Sequence, residues 1–95
     1  MYTEEQRQII ENAGLLKAIA HPVRLCLVKK LSREDRLTVS YFVSCMAASQ
    51  SNISQHLGKL KDLGIVTFEK EGNHVKYSLA SEKVRKIVKT IFEEE

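Results

Sequence analysis

Apolar and polar positions alternate along the chain with two different periods. Ile9, Ile10, Ala13, Leu16 and Ala20 recur at helical spacing and predict a first helix. Thr3 stands as its cap, with Gln6 three residues on, as a capping box requires. Pro22 interrupts the pattern and pushes His21 out of the helical region. A second helix starts at Pro22, where a missing N–H costs nothing. Leu25, Leu27, Val28 and Leu31 form its apolar side, and the polar run from Ser32 to Arg36 reads as a loop.

Thr38 is positioned to cap a short third helix carrying Val39, Phe42, Val43 and Met46. Ser49 is the cap of a fourth, with Ile53, Leu57, Leu60 and Leu63 lining its inner side. Gly64 stops it, and Ile65 is placed for the hydrophobic contact of a Schellman-type end. The period then becomes two. Ile65 to Lys70 is β-rich, and Val75, Tyr77 and Leu79 alternate with Lys76 and Ser78 across a Gly72-Asn73 tip, a β-hairpin. Ser81 opens a last helix striped by Val84, Ile87, Val88 and Ile91. The expected fold is mainly α with a small β-hairpin: a winged helix-turn-helix in the order α-α-α-α-β-β-α, one domain over residues 1–95.

Composition narrows the function classes. A chain of 95 residues has room for one modest core and not for a multi-domain enzyme. There is no Gly-rich phosphate loop, paired carboxylate or nucleophile with an assigned base, so no enzyme and no cofactor are expected. No stretch approaches the ~18 apolar residues of a membrane span, and the acidic start Met1-Tyr2-Thr3-Glu4-Glu5 is unlike a signal peptide. A cytoplasmic protein with reduced thiols and no membrane partner is therefore expected. Two cysteines are too few for a disulfide framework or a complete zinc site. The formal charge is +3, and the terminal Glu93-Glu94-Glu95 masks a more basic body. That excess suits a polyanion, and equally suits simple solubility.

The fourth helix is the most informative stretch. An ordinary exposed helix face favours Glu, Lys and Ala. Here it carries Gln50, Ser51, Asn52, Ser54, Gln55, His56 and Lys59 behind the Ser49 cap. Short side chains with both donors and acceptors suit base edges in a major groove. No acid in the first two turns repels phosphate. On the hairpin, Lys70, Asn73, His74 and Lys76 surround the tip and can grip a phosphate or a minor groove. The bland alternatives are a solvated helix and a hairpin whose edge lysines block aggregation.

Three stretches also resemble one family. The run from Leu15 to Leu25, which includes His21-Pro22-Val23-Arg24, resembles the second-helix signature of the ArsR/SmtB repressors. Ser49 to Leu57 resembles their recognition helix, and Leu63 to Val66 with Glu71 to Leu79 resembles their wing. The resemblance spans roughly residues 12 to 92. It implies a bacterial winged-helix homodimer that represses from a double-stranded DNA operator and releases it when an effector binds. Physics points the same way on the dimer. The first and last helices each carry an apolar stripe that a small core cannot cover, and pairing them across a two-fold axis hides both.

The effector is not legible. The positions matching the family's Cys-x-Cys metal motif are Thr38 and Ser40, and those matching its last-helix zinc ligands include Ser81, Lys83 and Glu94. Neither set suits a metal, and a lysine repels a cation. Cys26 and Cys45 remain as a candidate thiol sensor, against the alternative that both are small packing residues. Two further readings stay open: a winged-helix module that binds protein, and a metal-responsive repressor with a non-standard site.

Overall fold

A computed structural model describes residues 1–42 and 45–92, and of Cys45 the backbone alone. The elements are α1 (Glu4–Ile19), α2 (Pro22–Arg33), β1 (Leu37–Thr38), α3 (Val39–Phe42), a 3-10 turn (Cys45–Ala47), α4 (Gln50–Asp62), β2 (Val66–Glu71), β3 (His74–Leu79) and α5 (Glu82–Ile91). Among the described residues no helix is long and apolar enough to cross a membrane.

The helix ends follow the local chemistry. Thr3 Oγ1 accepts from the Gln6 N–H at 3.1 Å, and Gln6 Oε1 accepts from the Thr3 N–H at 3.0 Å. This reciprocal pair satisfies two donors that the first turn of α1 would leave open. His21 caps α2, its Nδ1 accepting from the Val23 N–H at 3.1 Å, with Pro22 in the first helical position. Ser49 caps α4 through the Asn52 N–H at 3.1 Å. At the far end of α4, Ile65 N–H donates to Leu60 O and Gly64 N–H donates to Lys61 O, both at 2.9 Å. That is the paired bonding of a Schellman end, and the φ of +75° at Gly64 is what it demands.

The core lies where α2 meets α4, α5 and the sheet. Leu27, Val28, Leu31, Phe42, Ile53, Leu57, Leu60, Val84 and Val88 are wholly buried. Truncating a leucine there, such as Leu57, costs about 2–5 kcal/mol. Arg85 closes the seam between α2 and α5 by donating to the Ser32 carbonyl at 3.2 Å.

Several expectations change. The sheet has three strands, in the order β1-β3-β2, because Leu37 pairs with Tyr77 and Thr38 with Lys76. The third helix does not run to Met46. Met46 and Ala47 have φ of 51° and 54°, a left-handed turn that breaks the helical path, and Met46 is exposed. Val43, assigned to that helix's stripe, lies outside the described residues. Helix α2 continues through Ser32 and Arg33, with Ser32 buried and its hydroxyl donating to Lys29 O. Leu63, expected on the inner side of α4, is exposed because it sits at the helix end. On α1 the face turned to the core is Leu15, Ala18 and Ile19. The stripe read from the sequence is its outer face, with Ile9 59% exposed, Ile10 48% and Leu16 50%.

Candidate nucleic-acid interface

Helix α4 is pinned from below and open above. Ile53, Leu57 and Leu60 are fully buried, so the rotation of the helix about its own axis is set. The opposite side then presents Gln50, Ser51, Asn52, Ser54, Gln55 and Lys59, all exposed. The first turn carries no acid, so the positive end of the helix dipole is unopposed. The Ser49 hydroxyl is engaged with the Asn52 N–H and lies 3.3 Å from the Ser51 hydroxyl.

His56 leaves this group. It is half-buried, its Nδ1 accepts from the Arg24 Nε–H at 3.1 Å, and its ring lies 4.5 Å from that of His21. Burial, then the neighbouring His21 and Arg24, hold its pKa below the ordinary value. Arg24 also donates to the Ala18 carbonyl at 3.1 Å. One arginine thus ties the end of α1, the start of α2 and the flank of α4 together. His21 serves as the cap of α2, as its place beside Pro22 suggested.

The hairpin register separates the wing residues. Lys70 lies opposite Val75, on the face shared with Phe68 and Tyr77, whereas Lys76 lies opposite Glu69 and His74 opposite Glu71. Lys70 and the pair His74 and Lys76 therefore occupy opposite faces, with Asn73 in the two-residue tip. The charge there is also less free than composition suggested. Lys76 Nζ pairs with Glu71 at 3.1 Å, and Arg36 pairs with Glu71 at 3.1 Å and Glu69 at 3.4 Å. The hydrogen bond from Lys76, then the charge of Arg36, keeps the Glu71 carboxyl below the usual carboxylate range. The wing is coupled to α4 by Lys61, whose Nζ stands 4.7 Å from the centre of the Phe68 ring.

Arg24, Arg36 and Lys61 were missed from the sequence. Arg36 reaches Glu69 and Glu71, 33 and 35 positions on, through a strand that the sequence did not announce. Arg24 acts across the fold, 32 positions from His56, whereas Lys61 reaches only seven positions on to Phe68, past the Gly64 turn.

At the candidate sensor, Cys26 is half-buried against the core and disulfide-bonded, so the expectation of reduced thiols fails at this residue. The Cys45 side chain lies outside the described residues. Cys26 lines an apolar concavity of about 530 Å³ with Pro22, Leu25, Met46 and Phe92. Among the described residues no three His, Cys, Asp or Glu gather as a metal would require. Lys83, at a position where the resemblance placed a ligand, instead donates to Asn12 Oδ1 at 3.1 Å and fastens α5 to α1.

The sequence and the fold are similar to those of known proteins. The model of the family described as bacterial regulatory protein, arsR family, matches residues 21–67. The transcriptional repressor SmtB of Mycobacterium tuberculosis is 42% identical over 83 residues, 86% of this chain and 61% of that protein. This chain therefore spans about three-fifths of that relative's length. The transcriptional repressor PagR of Bacillus anthracis is 32% identical over 87 residues, 92% of this chain and 87% of PagR. Reduced HlyU from Vibrio cholerae superposes with a TM-score of 0.88 at 32% identity, covering 97% of this chain and 96% of its own.

Proposed function

The chain belongs to the arsR family of bacterial regulatory proteins, and on that premise we propose that it is a cytoplasmic transcriptional repressor that binds a palindromic DNA operator as a homodimer. In this reading residues 1–95 act as one winged helix-turn-helix unit. Helix α4 enters the major groove. Gln50 and Asn52 meet adenine edges, Ser51, Ser54 and Gln55 make adaptable contacts, and Lys59 meets phosphate. Ser49 fixes the start of the helix, and His56 sets its tilt through Arg24. The wing contributes Lys70, Asn73, His74 and Lys76. The observation that carries the proposal is the exposed polar face of α4, with no acid in its first turn, above a fully buried apolar one.

The homodimer rests on the outer face of α1 and on Ile91 of α5, exposed at 55%. Joining these faces in two copies covers apolar surface that one copy leaves in water. It also sets two α4 helices about 34 Å apart, one turn of DNA.

The effector in this reading is a thiol-reactive or redox signal at Cys26. Helix α2 packs on both α4 and α5. Making or breaking the bond at Cys26 therefore acts on the element that seats the reading helix and the dimer face together. A solved relative, HlyU, has been obtained in a reduced form.

The test is fluorescence anisotropy with a mixed-sequence duplex as salt is raised. A protein making about six phosphate contacts loses roughly a thousandfold in affinity between 50 and 200 mM salt. Absence of duplex binding at the low-salt end contradicts the proposal.

A further inference from the structure

Apart from the polar face of α4, the chain has a second concentration of hydrogen-bond donors. A concavity of about 470 Å³ opens between α1, α2 and α4, and Lys17, His21, Arg24 and Lys59 all line it. No acid lines it, and no ion pair between described residues neutralises Lys17, Arg24 or Lys59. Three cations facing one recess with no anion raise the local positive potential and so attract a counter-ion.

The donors are also held in place before any ligand arrives. Arg24 is fixed by its bonds to the Ala18 carbonyl and to His56 Nδ1. His21 is fixed by its cap on Val23, where Nδ1 accepts, so the proton of its neutral ring sits on Nε2. The recess thus offers a guanidinium and an imidazole N–H, both fixed, and two ammonium groups on flexible stems. Three cations together balance a dianion such as phosphate better than a carboxylate monoanion, and both fixed donors can bond an oxyanion. The remaining wall is Gly14, Ala18, Ala20 and Leu63, which is apolar. A volume of about 470 Å³ is far larger than a bare oxyanion needs and lies within the range of small-molecule clefts, about 300–1,000 Å³.

We propose that the recess between α1, α2 and α4 is a phosphate site, taking a phosphate group attached to a small organic body. Two sources carry that chemistry: a free phosphorylated small molecule, or a nucleotide of the DNA backbone beside α4. The site stands on its own donors and does not depend on the repressor reading, although Lys59 belongs to both.

The test is a titration of the ¹⁵N-labelled chain with phenyl phosphate at constant ionic strength, with sodium chloride as control. Saturable amide shifts confined to residues 14–24 and 59–63 are expected. Lys17→Gln should weaken binding by roughly five-fold and Lys17→Arg should restore it. Lys17 is exposed and makes no side-chain contact that folding needs, so both variants keep the fold. A second arm measures the same variants on a mixed-sequence duplex. If the source is DNA, Lys17→Gln weakens the duplex and phenyl phosphate competes with it. If the source is a free molecule, duplex affinity is unchanged while phenyl phosphate still saturates. Linear shifts like those with chloride, or a Lys17→Gln variant that binds phenyl phosphate like the parent, overturn the proposal whatever the duplex does.

Discussion

The Nε–H of Arg24 donates to Nδ1 of His56 across 3.1 Å, joining residues 32 apart in the chain. It locks the flank of α4 to the start of α2. His56→Leu leaves that donor unpaired and should cost about 1 kcal/mol in urea unfolding, with His56→Gln recovering part of it. The same pair sets a pH dependence. His56 in the folded chain takes its proton below its ordinary value of 6.5, so the unfolded chain protonates first as pH falls. The stability contributed by neutral His56 is full above 6.5 and is lost as pH falls through the folded value. The urea midpoint should drop between pH 7.5 and 5.5, and drop less in His56→Gln. Equal losses in both proteins would contradict this.

The ion pairs of Glu71 with Arg36 and Lys76 place a negative charge in the wing, beside Glu69 and close to the lysines that would face phosphate. Glu71→Gln should raise duplex affinity for all sequences and steepen the salt dependence by about one ion. Lys76→Ala should do the reverse. Anisotropy against salt measures both, and a Glu71→Gln variant that binds more weakly than the parent would show that the ion pair, not the free charge, shapes the wing.

Leu16 and Ile9 face water in the single chain, which makes them probes of self-association. Leu16→Glu should weaken the dimer by at least about a hundredfold, since the two-fold places the change in both copies. Sedimentation measures the loss, and the helical circular-dichroism signal should persist because the core of each chain does not use Leu16. A parent chain that sediments as a monomer at all concentrations would remove the dimer from the account.

The bond at Cys26 predicts redox sensitivity of DNA binding. Reduced chain should hold the duplex about tenfold or more tighter than oxidised chain, within the usual range of coupling between sites. Cys26→Ser should bind like the reduced parent and ignore oxidant. Equal affinity of the two parent forms would leave the cysteine as a packing residue.

Much of this architecture was legible because its signals are local. Thr3 with Gln6, His21 with Pro22, Ser49, Gly64 with Ile65, and the Gly72-Asn73 tip each act within a few residues of themselves, and each sits where the sequence places it. The misreadings share the opposite property. Strand β1 is two residues long, and what makes it a strand is Tyr77, forty positions away. The break at Met46 and Ala47 uses left-handed backbone without the glycine or asparagine that would announce it. On α1 two apolar faces compete, and periodicity cannot say that Leu15, Ala18 and Ile19 turn inward while Ile9, Ala13 and Leu16 turn out. In the candidate site the α4 face follows from helical spacing, whereas the withdrawal of His56 depends on Arg24 from another helix. The division of Lys70 from His74 and Lys76 lay within reach, since strand alternation already assigns them to different faces.

The central claim is that the outer face of α4 reads DNA sequence in two symmetric halves. Selection of bound duplexes from a random library, followed by sequencing, tests it most directly. The predicted result is an inverted repeat with half-site centres about 10 base pairs apart. Gln50→Ala or Asn52→Ala should relax base preference within each half, each worth roughly 1–3 kcal/mol of discrimination. Enrichment of sites without two-fold symmetry, or enrichment of the same sequences by the parent and both variants, would contradict the claim.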